Sequence, residues 1–227
     1  GALSRSAATE LGARAVGALL ERNPDAADAV DEVVLGNVVA AGLGQAPARQ
    51  AALGGGLSAQ VSAVTLNQVC GASLRAVVAA AQAIRAGDAR CVIAGGMESM
   101  SRAPHALHGA RGGLKAGDRA LVDLMVRDGL WCAFEDHHMG LAAEYTARKS
   151  NVSRARQDEF ALRSHQKAAA AWDAGAFCDE VVPLDGPRGR VDRDETLRRD
   201  TSIEKLAALP PAFCADGTVT AGNAPGL

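Results

Sequence analysis

The chain has 227 residues, a formal net charge of −2, 48% hydrophobic residues and only 3% aromatic ones. This length suits one or two domains whose core needs no disulfide or metal, and the near-neutral charge argues against a nucleic-acid binder that works by bulk phosphate attraction. The five cysteines are odd in number and lack CxxC or paired Cys/His spacing, so reduced thiols in a cytoplasm-like compartment fit better than zinc ligands or a disulfide framework.

No apolar run is read as approaching bilayer-spanning length. No basic segment followed by an apolar core marks a signal peptide at the start, although the chain opens at Gly1 rather than Met.

Residues 4–22 read as a helix with Ala7, Leu11, Ala15, Ala18 and Leu19 near one face, stopped by Asn23 and Pro24. Residues 32–39 (EVVLGNVV) read as a buried strand. A short helix follows from Pro47 to Leu53 with proline in its first turn, broken by Gly54, Gly55 and Gly56. Residues 61–67 (VSAVTLN) read as a second strand. From Cys70 the pattern turns helical, with Leu74, Val77, Val78, Ala81 and Ile84 as one apolar face and Gly87 as the stop. Residues 91–94 (CVIA) read as a third strand, which completes a βαβ unit.

After Ser101 charge rises, and every aromatic residue of the chain falls here: Trp131, Phe134, Tyr145, Phe160, Trp172, Phe177 and Phe213. Ser153 is placed to cap a helix that runs to about Ala174, before Gly175. The mixed-charge run at 188–200 reads as a solvated loop. The expected organisation is an α/β domain from 1–100 and 217–227, carrying a mainly helical insertion at 101–216.

Cys70 sits where a strand hands over to a helix. A side chain there is presented at the strand's carboxyl end, and free N–H groups and the helix dipole favour an anion. Spacing alone leaves two readings open, a nucleophile and a small buried hydrophobe. For Cys91, inside an apolar strand, the second reading wins.

The segment NQVCGASLRAV around Cys70 resembles the nucleophile segment of the thiolases. AGGMESMSRAPH, RGGLKAGD, DGL, HMG, PAF and DGTVTAGNA follow in that family's order along nearly the whole chain. The resemblance implies a layered α/β fold, a mixed sheet with helices on both faces and a mainly helical loop-domain insertion. It implies an acyltransferase acting through an acyl-enzyme at Cys70: Claisen condensation of two acyl-CoA molecules, acetyl-CoA first among them, or thiolysis of 3-oxoacyl-CoA, within fatty acid metabolism. The Cys70 backbone N–H is a natural oxyanion donor.

The family further implies that His138 and Met139 line the acyl and pantetheine pocket, and HMG points to small acyl groups. Arg198 falls where a cation meets the CoA nucleotide, with Arg199 an equal candidate by charge. Phe213 is placed against the adenine or in the core. Ala224 and Gly226 approach the pantetheine through small size. Coenzyme A thioesters are expected as substrates, with no permanently bound cofactor and no metal. The expected assembly is a homodimer or homotetramer with strand 61–67 at its edge, without nucleic acid or membrane.

Three departures from the family stand out. Pro225 replaces a usual Ser and offers neither hydroxyl nor N–H. A first apolar strand expected before GALS is missing. The C-terminal α/β domain, which carries the acid/base His and second Cys, is absent, so the 227 residues are read as an incomplete form. None of His105, His108, His137, His138 and His165 matches that His motif. The competing readings are an acyl-carrier-protein condensing enzyme, a cysteine hydrolase and a non-catalytic thiolase-like dimerisation fragment.

Overall fold

A computed structural model describes residues 1–186 and 189–226. Two compact units are formed, Ala2–Gly129 and Leu130 to the chain end together with Gly1.

The first unit begins with α1 (Ala8–Arg22), which starts later than its pattern suggests. The Glu10 carboxylate accepts the Ala7 N–H at 2.8 Å and caps the helix there. Strand β1 (Glu32–Gly36) is likewise shorter than its apolar run. Beyond it, the Val38 and Val39 N–H groups donate to the Glu98 carboxylate, Val38 at 2.8 Å, and leave the sheet ladder. Helix α2 (Pro47–Gly54), strand β2 (Ser62–Leu66), helix α3 (Ala72–Ala86) and strand β3 (Val92–Gly96) follow close to their expected places.

The three strands form one parallel sheet in the order β2-β1-β3, with β1 central and Val34 opposite Val64 and Ala94. Ala8 and Val16 of α1 and Ala48, Ala51 and Ala52 of α2 pack with Val33, Leu35 and Ile93 as one core. Alternate residues of a strand face opposite ways, so Gly36 looks to the other side, and there it meets α3. A Cβ on Gly36 would lie 2.6 Å from the Ala72 carbonyl carbon, and one on Gly96 would strike Ser73 Oγ. Helices therefore cover both faces, which bears out the layered α/β expectation. All three strands of this sheet are parallel.

The close approach of α3 reverses its expected orientation. Ala72, Ala76 and Ala80 are buried, whereas Leu74 is 71% exposed and Val77, Val78 and Ile84 are also exposed. A helix seated on glycines has room only for alanine beneath it, so the larger residues that marked the apolar face turn outward. Alanine-richness has a second effect. Val69–Ala86 is an 18-residue stretch of mean hydropathy 1.2, long and apolar enough by length and composition to cross a membrane. This corrects the reading that no run approaches that length; here the stretch is a helix packed on the sheet. The unit closes with a small antiparallel pair, β4 (His105–Ala106) with β5 (Val122–Asp123).

The second unit contains the hairpin β6 (Trp131–Cys132) with β7 (His137–His138), followed by helices α4 (Met139–Lys149) and α5 (Arg154–Asp173). Ser153 caps α5, its hydroxyl accepting the Arg156 N–H, and Gly175 takes a positive φ of 69° just past the end. The mixed-charge run is not wholly a loop. Strand β8 (Leu184–Gly186) pairs with β9 (Gly189–Val191) and sets Asp185 opposite Arg190; Arg188 lies outside the described residues. Helix α6 (Ile203–Ala207) precedes the final segment.

Candidate functional site

In the first unit the chain leaves β2 at Leu66 and turns sharply before α3. The Asn67 side chain builds this turn. Its Oδ1 accepts the Val69 N–H at 2.8 Å, and its Nδ2 donates to the Val38 carbonyl at 3.4 Å. Val69 takes φ = +49°, an outlier for a β-branched residue. The Gly71 N–H donates to the Gln68 carbonyl and the Ala72 N–H to the Val69 carbonyl. Cys70 is thus set out on a tight, strained turn at the mouth of α3, and its thiol is exposed. The N-cap position of that helix, Gly71, offers no side chain to the first N–H groups. Such a place leaves room for a carbonyl substrate to approach both a thiol and backbone donors.

In the second unit the structure brings together His138, Met139 and Phe213. His138 is the N-cap of α4 and accepts the Gly140 N–H on Nδ1 at 2.9 Å, which leaves the proton of the neutral ring on Nε2. Its ring stacks on Phe213 with centroids 5.1 Å apart and planes 23° from parallel. Gly140 makes the stack possible, because a Cβ there would overlap the Phe213 ring. Met139 is exposed beside it.

From Phe213 the chain runs into the segment that carries Ala224 and Gly226. The Ala212 N–H donates to the Val219 carbonyl at 2.9 Å and closes a loop. Glu144, one turn along α4 from Gly140, is buried and grips that loop. It accepts the Thr218 and Val219 N–H groups at 2.8 Å each and the Thr218 hydroxyl at 3.1 Å. Burial alone would push this carboxyl up. The Thr218 and Val219 N–H groups, the Thr218 hydroxyl and Arg148 outweigh burial and hold it below its ordinary range.

Asp158, on α5, is also buried. It accepts from Asn223 Nδ2 at 2.9 Å and from Arg154 Nε at 2.8 Å, while Arg154 reaches the Leu206 and Leu209 carbonyls. The loop is therefore held by two buried carboxylates from two helices, and Ala224 follows directly, its N–H on the Thr220 carbonyl. Pro225 and Gly226 are exposed.

Arg198 stands apart from this group. Its backbone N–H donates to His165 Nδ1 at 3.2 Å, and its guanidinium makes no ion pair among the described residues. Arg199, equal to it by charge, forks onto Asp173 at 2.9 and 3.0 Å. The Arg199 hydrogen bonds hold the Asp173 carboxyl below its usual range.

Sequence reading passed over Asn67 and Glu144. Only one signal was available: Gly140 and Glu144 are four apart and so share a helix face with the HMG turn.

The whole chain, residues 1–227, matches the family model described as the thiolase N-terminal domain. Among curated relatives, a probable acetyl-CoA acetyltransferase of Escherichia coli (strain K12) is 54% identical over 228 residues, covering 99% of this chain and 58% of the relative. An acetyl-CoA acetyltransferase of Pseudomonas aeruginosa is 51% identical, with 100% of this chain and 59% of the relative covered. One of Rhizobium meliloti is 52% identical, with 100% and 58% covered. The chain thus spans less than two thirds of the length of these relatives.

Proposed function

The chain belongs to the thiolase family, and from that premise we propose that it carries the nucleophile of an acetyl-CoA acyltransferase, Cys70. The observation that carries the reading is the position of Cys70, exposed on the strained Asn67–Val69 turn at the mouth of α3.

In the proposed reaction the Cys70 thiolate attacks the thioester carbonyl of acetyl-CoA. The carbonyl oxygen gains charge beside the Cys70 N–H, the bond from carbonyl carbon to CoA sulfur breaks, and CoA leaves as a thiolate that takes up a proton. A second acetyl-CoA then gives up an α-proton, the equivalent of the one taken up by the CoA thiolate, its carbanion attacks the Cys70 thioester, and acetoacetyl-CoA leaves as the Cys70 thiolate is restored. Run backwards, the same steps cleave a 3-oxoacyl-CoA.

The His138–Phe213 stack and Met139 shape the acyl and pantetheine pocket, which favours small acyl groups. Ala224 and Gly226 lie along the pantetheine. Arg198 meets the nucleotide, a role supported by the absence of an ion pair to its guanidinium among the described residues, whereas Arg199 is committed to Asp173. In this reading residues 1–100 and 217–227 form the α/β domain and 101–216 its insertion. The protein works as a homo-oligomer, supported by β2 at the sheet's edge. Its five free thiols support a cytoplasmic setting, and no cofactor beyond the CoA thioesters is required.

Incubation with acetyl-CoA followed by peptide mass mapping tests the proposal. An acetyl increment on the Cys70 peptide, lost in Cys70→Ala, is the expected result. No acetylation, or acetylation elsewhere, would overturn it in favour of a non-catalytic dimerisation role. Sedimentation that shows a monomer at all concentrations would overturn the oligomer.

A further inference from the structure

Helix α4 presents a single face to one stretch of chain. At its N-cap, His138 stacks on Phe213; Gly140 lets that ring close in; one turn later Glu144 takes the backbone of Thr218 and Val219. Glu144 is 1% exposed and, among the described residues, the largest fully buried side chain. A buried carboxylate is costly unless its lone pairs are filled, and here loop donors fill them: two backbone N–H groups and one hydroxyl. The hydroxyl is itself set by Gln157 Nε2, which donates to Thr218 Oγ1 at 2.9 Å. A Cβ on Gly217 would collide with Glu144 Oε1, so the glycine of DGTVT is where the carboxylate reaches the loop backbone. The chemistry proposed above uses Glu144 at no step.

We propose that Glu144 is a positioning residue for the thioester-binding pocket. It locks the 213–224 segment to the helix that carries His138 and Met139, so that the stacked ring and the small residues at Ala224 and Gly226 keep one spacing along the pantetheine. The inference rests on the reading of Cys70 and the pantetheine contacts given above. An apolar buried residue could hold α4 against the loop as firmly, but only an acceptor fixes the register, because it must meet two consecutive N–H groups. Cys214 reports on the same contact. Burial, then the charges of Glu144 and Asp216, push its thiol up, so release of the Glu144 grip should free it to react.

The test compares Glu144→Met, which keeps volume and removes the acceptor, with Glu144→Gln, which keeps one acceptor oxygen. Acetylation of Cys70 is followed against acetyl-CoA concentration, and again with acetyl-pantetheine, which lacks the nucleotide. Glu144→Met is expected to raise the half-saturating concentration of both thioesters roughly tenfold, the worth of one charge-assisted hydrogen bond, with the limiting rate retained. Glu144→Gln should recover part of the loss. Arg198→Ala, by contrast, should weaken acetyl-CoA and spare acetyl-pantetheine. Alkylation of Cys214 should quicken in Glu144→Met while that of exposed Cys178 does not.

A limiting rate that falls with half-saturation unchanged would reduce Glu144 to a stability residue and overturn the proposal. An unaltered Glu144→Gln half-saturation would overturn it too, even where Glu144→Met fails to fold. If the unaltered protein is not acetylated at Cys70, the underlying reading fails first and takes this inference with it.

Discussion

The two units hold themselves together by different means. In Ala2–Gly129 one face of the sheet packs Val33, Leu35 and Ile93 against the alanines of α1 and α2, and the other face meets the buried alanines of α3 at Gly36 and Gly96. In the unit from Leu130 onward, which has all the aromatics, the organising groups are charged: Glu144 and Asp158 are buried and tie the 218–223 loop to α4 and α5. Apolar close packing sets distances between layers and tolerates little change in volume. Buried carboxylates set the register of individual backbone atoms and tolerate little change in charge. The first device suits the presentation of a nucleophile from a rigid sheet, the second the shaping of a loop.

The contrast breaks most visibly at Gly36. Gly36→Ala drives a Cβ into the Ala72–Ser73 backbone and should lift the start of α3, with a loss of about 3 kcal/mol read from urea unfolding. A change under half that size would mean that α3 is not seated on the glycines. In the other unit, Glu144→Met keeps volume but strands the Thr218 and Val219 N–H groups and should cost ~2 kcal/mol. An equally stable Met variant would show that volume, not charge, fills that position.

A pH series separates the units further. The folded Glu144 carboxyl lies below its ordinary value of 4.5, so its contribution is fully present above the unfolded pKa and is lost as pH falls through the lower folded value. Acid should therefore loosen the loop first, seen as hydrogen exchange at Thr218 and Val219 rising below about pH 4.5, and Glu144→Gln should flatten that dependence. Exchange in β1 that rises earlier would reverse the order. The smallest effect belongs to α3: Leu74→Asn at a 71% exposed position should change stability by less than about 0.5 kcal/mol, and a loss of several times that would restore Leu74 to the core.

How much of this was legible follows the same divide. The sheet unit could be read almost element by element, because hydrophobic periodicity reports apolar packing: β1, α2, β2, α3 and β3 fall within a few residues of their patterns. The failure at α3 is instructive. Periodicity located an apolar face from Leu74, Val77 and Ile84 and could not tell that glycines on the sheet would select the alanine face instead. Cys70 was reached through its place between strand and helix and through the motif around it, but the Asn67 turn that presents it was not, since one side-chain bond leaves no period. Apart from its place four residues after Gly140, nothing local marks Glu144 as buried rather than solvated, for a carboxylate is buried only with donors, and these arrive from residues 218 and 219, far along the chain.

The claim that everything else serves is that Cys70 is the acyl acceptor. Limiting iodoacetamide, with and without a preceding incubation with acetyl-CoA, addresses it directly across all five thiols at once. The account predicts that Cys70 is alkylated ahead of Cys91, Cys132, Cys178 and Cys214, and that acetyl-CoA protects Cys70 alone until hydroxylamine removes the acetyl group. Preferential labelling of Cys178, or Cys70 labelling indifferent to acetyl-CoA, would contradict it.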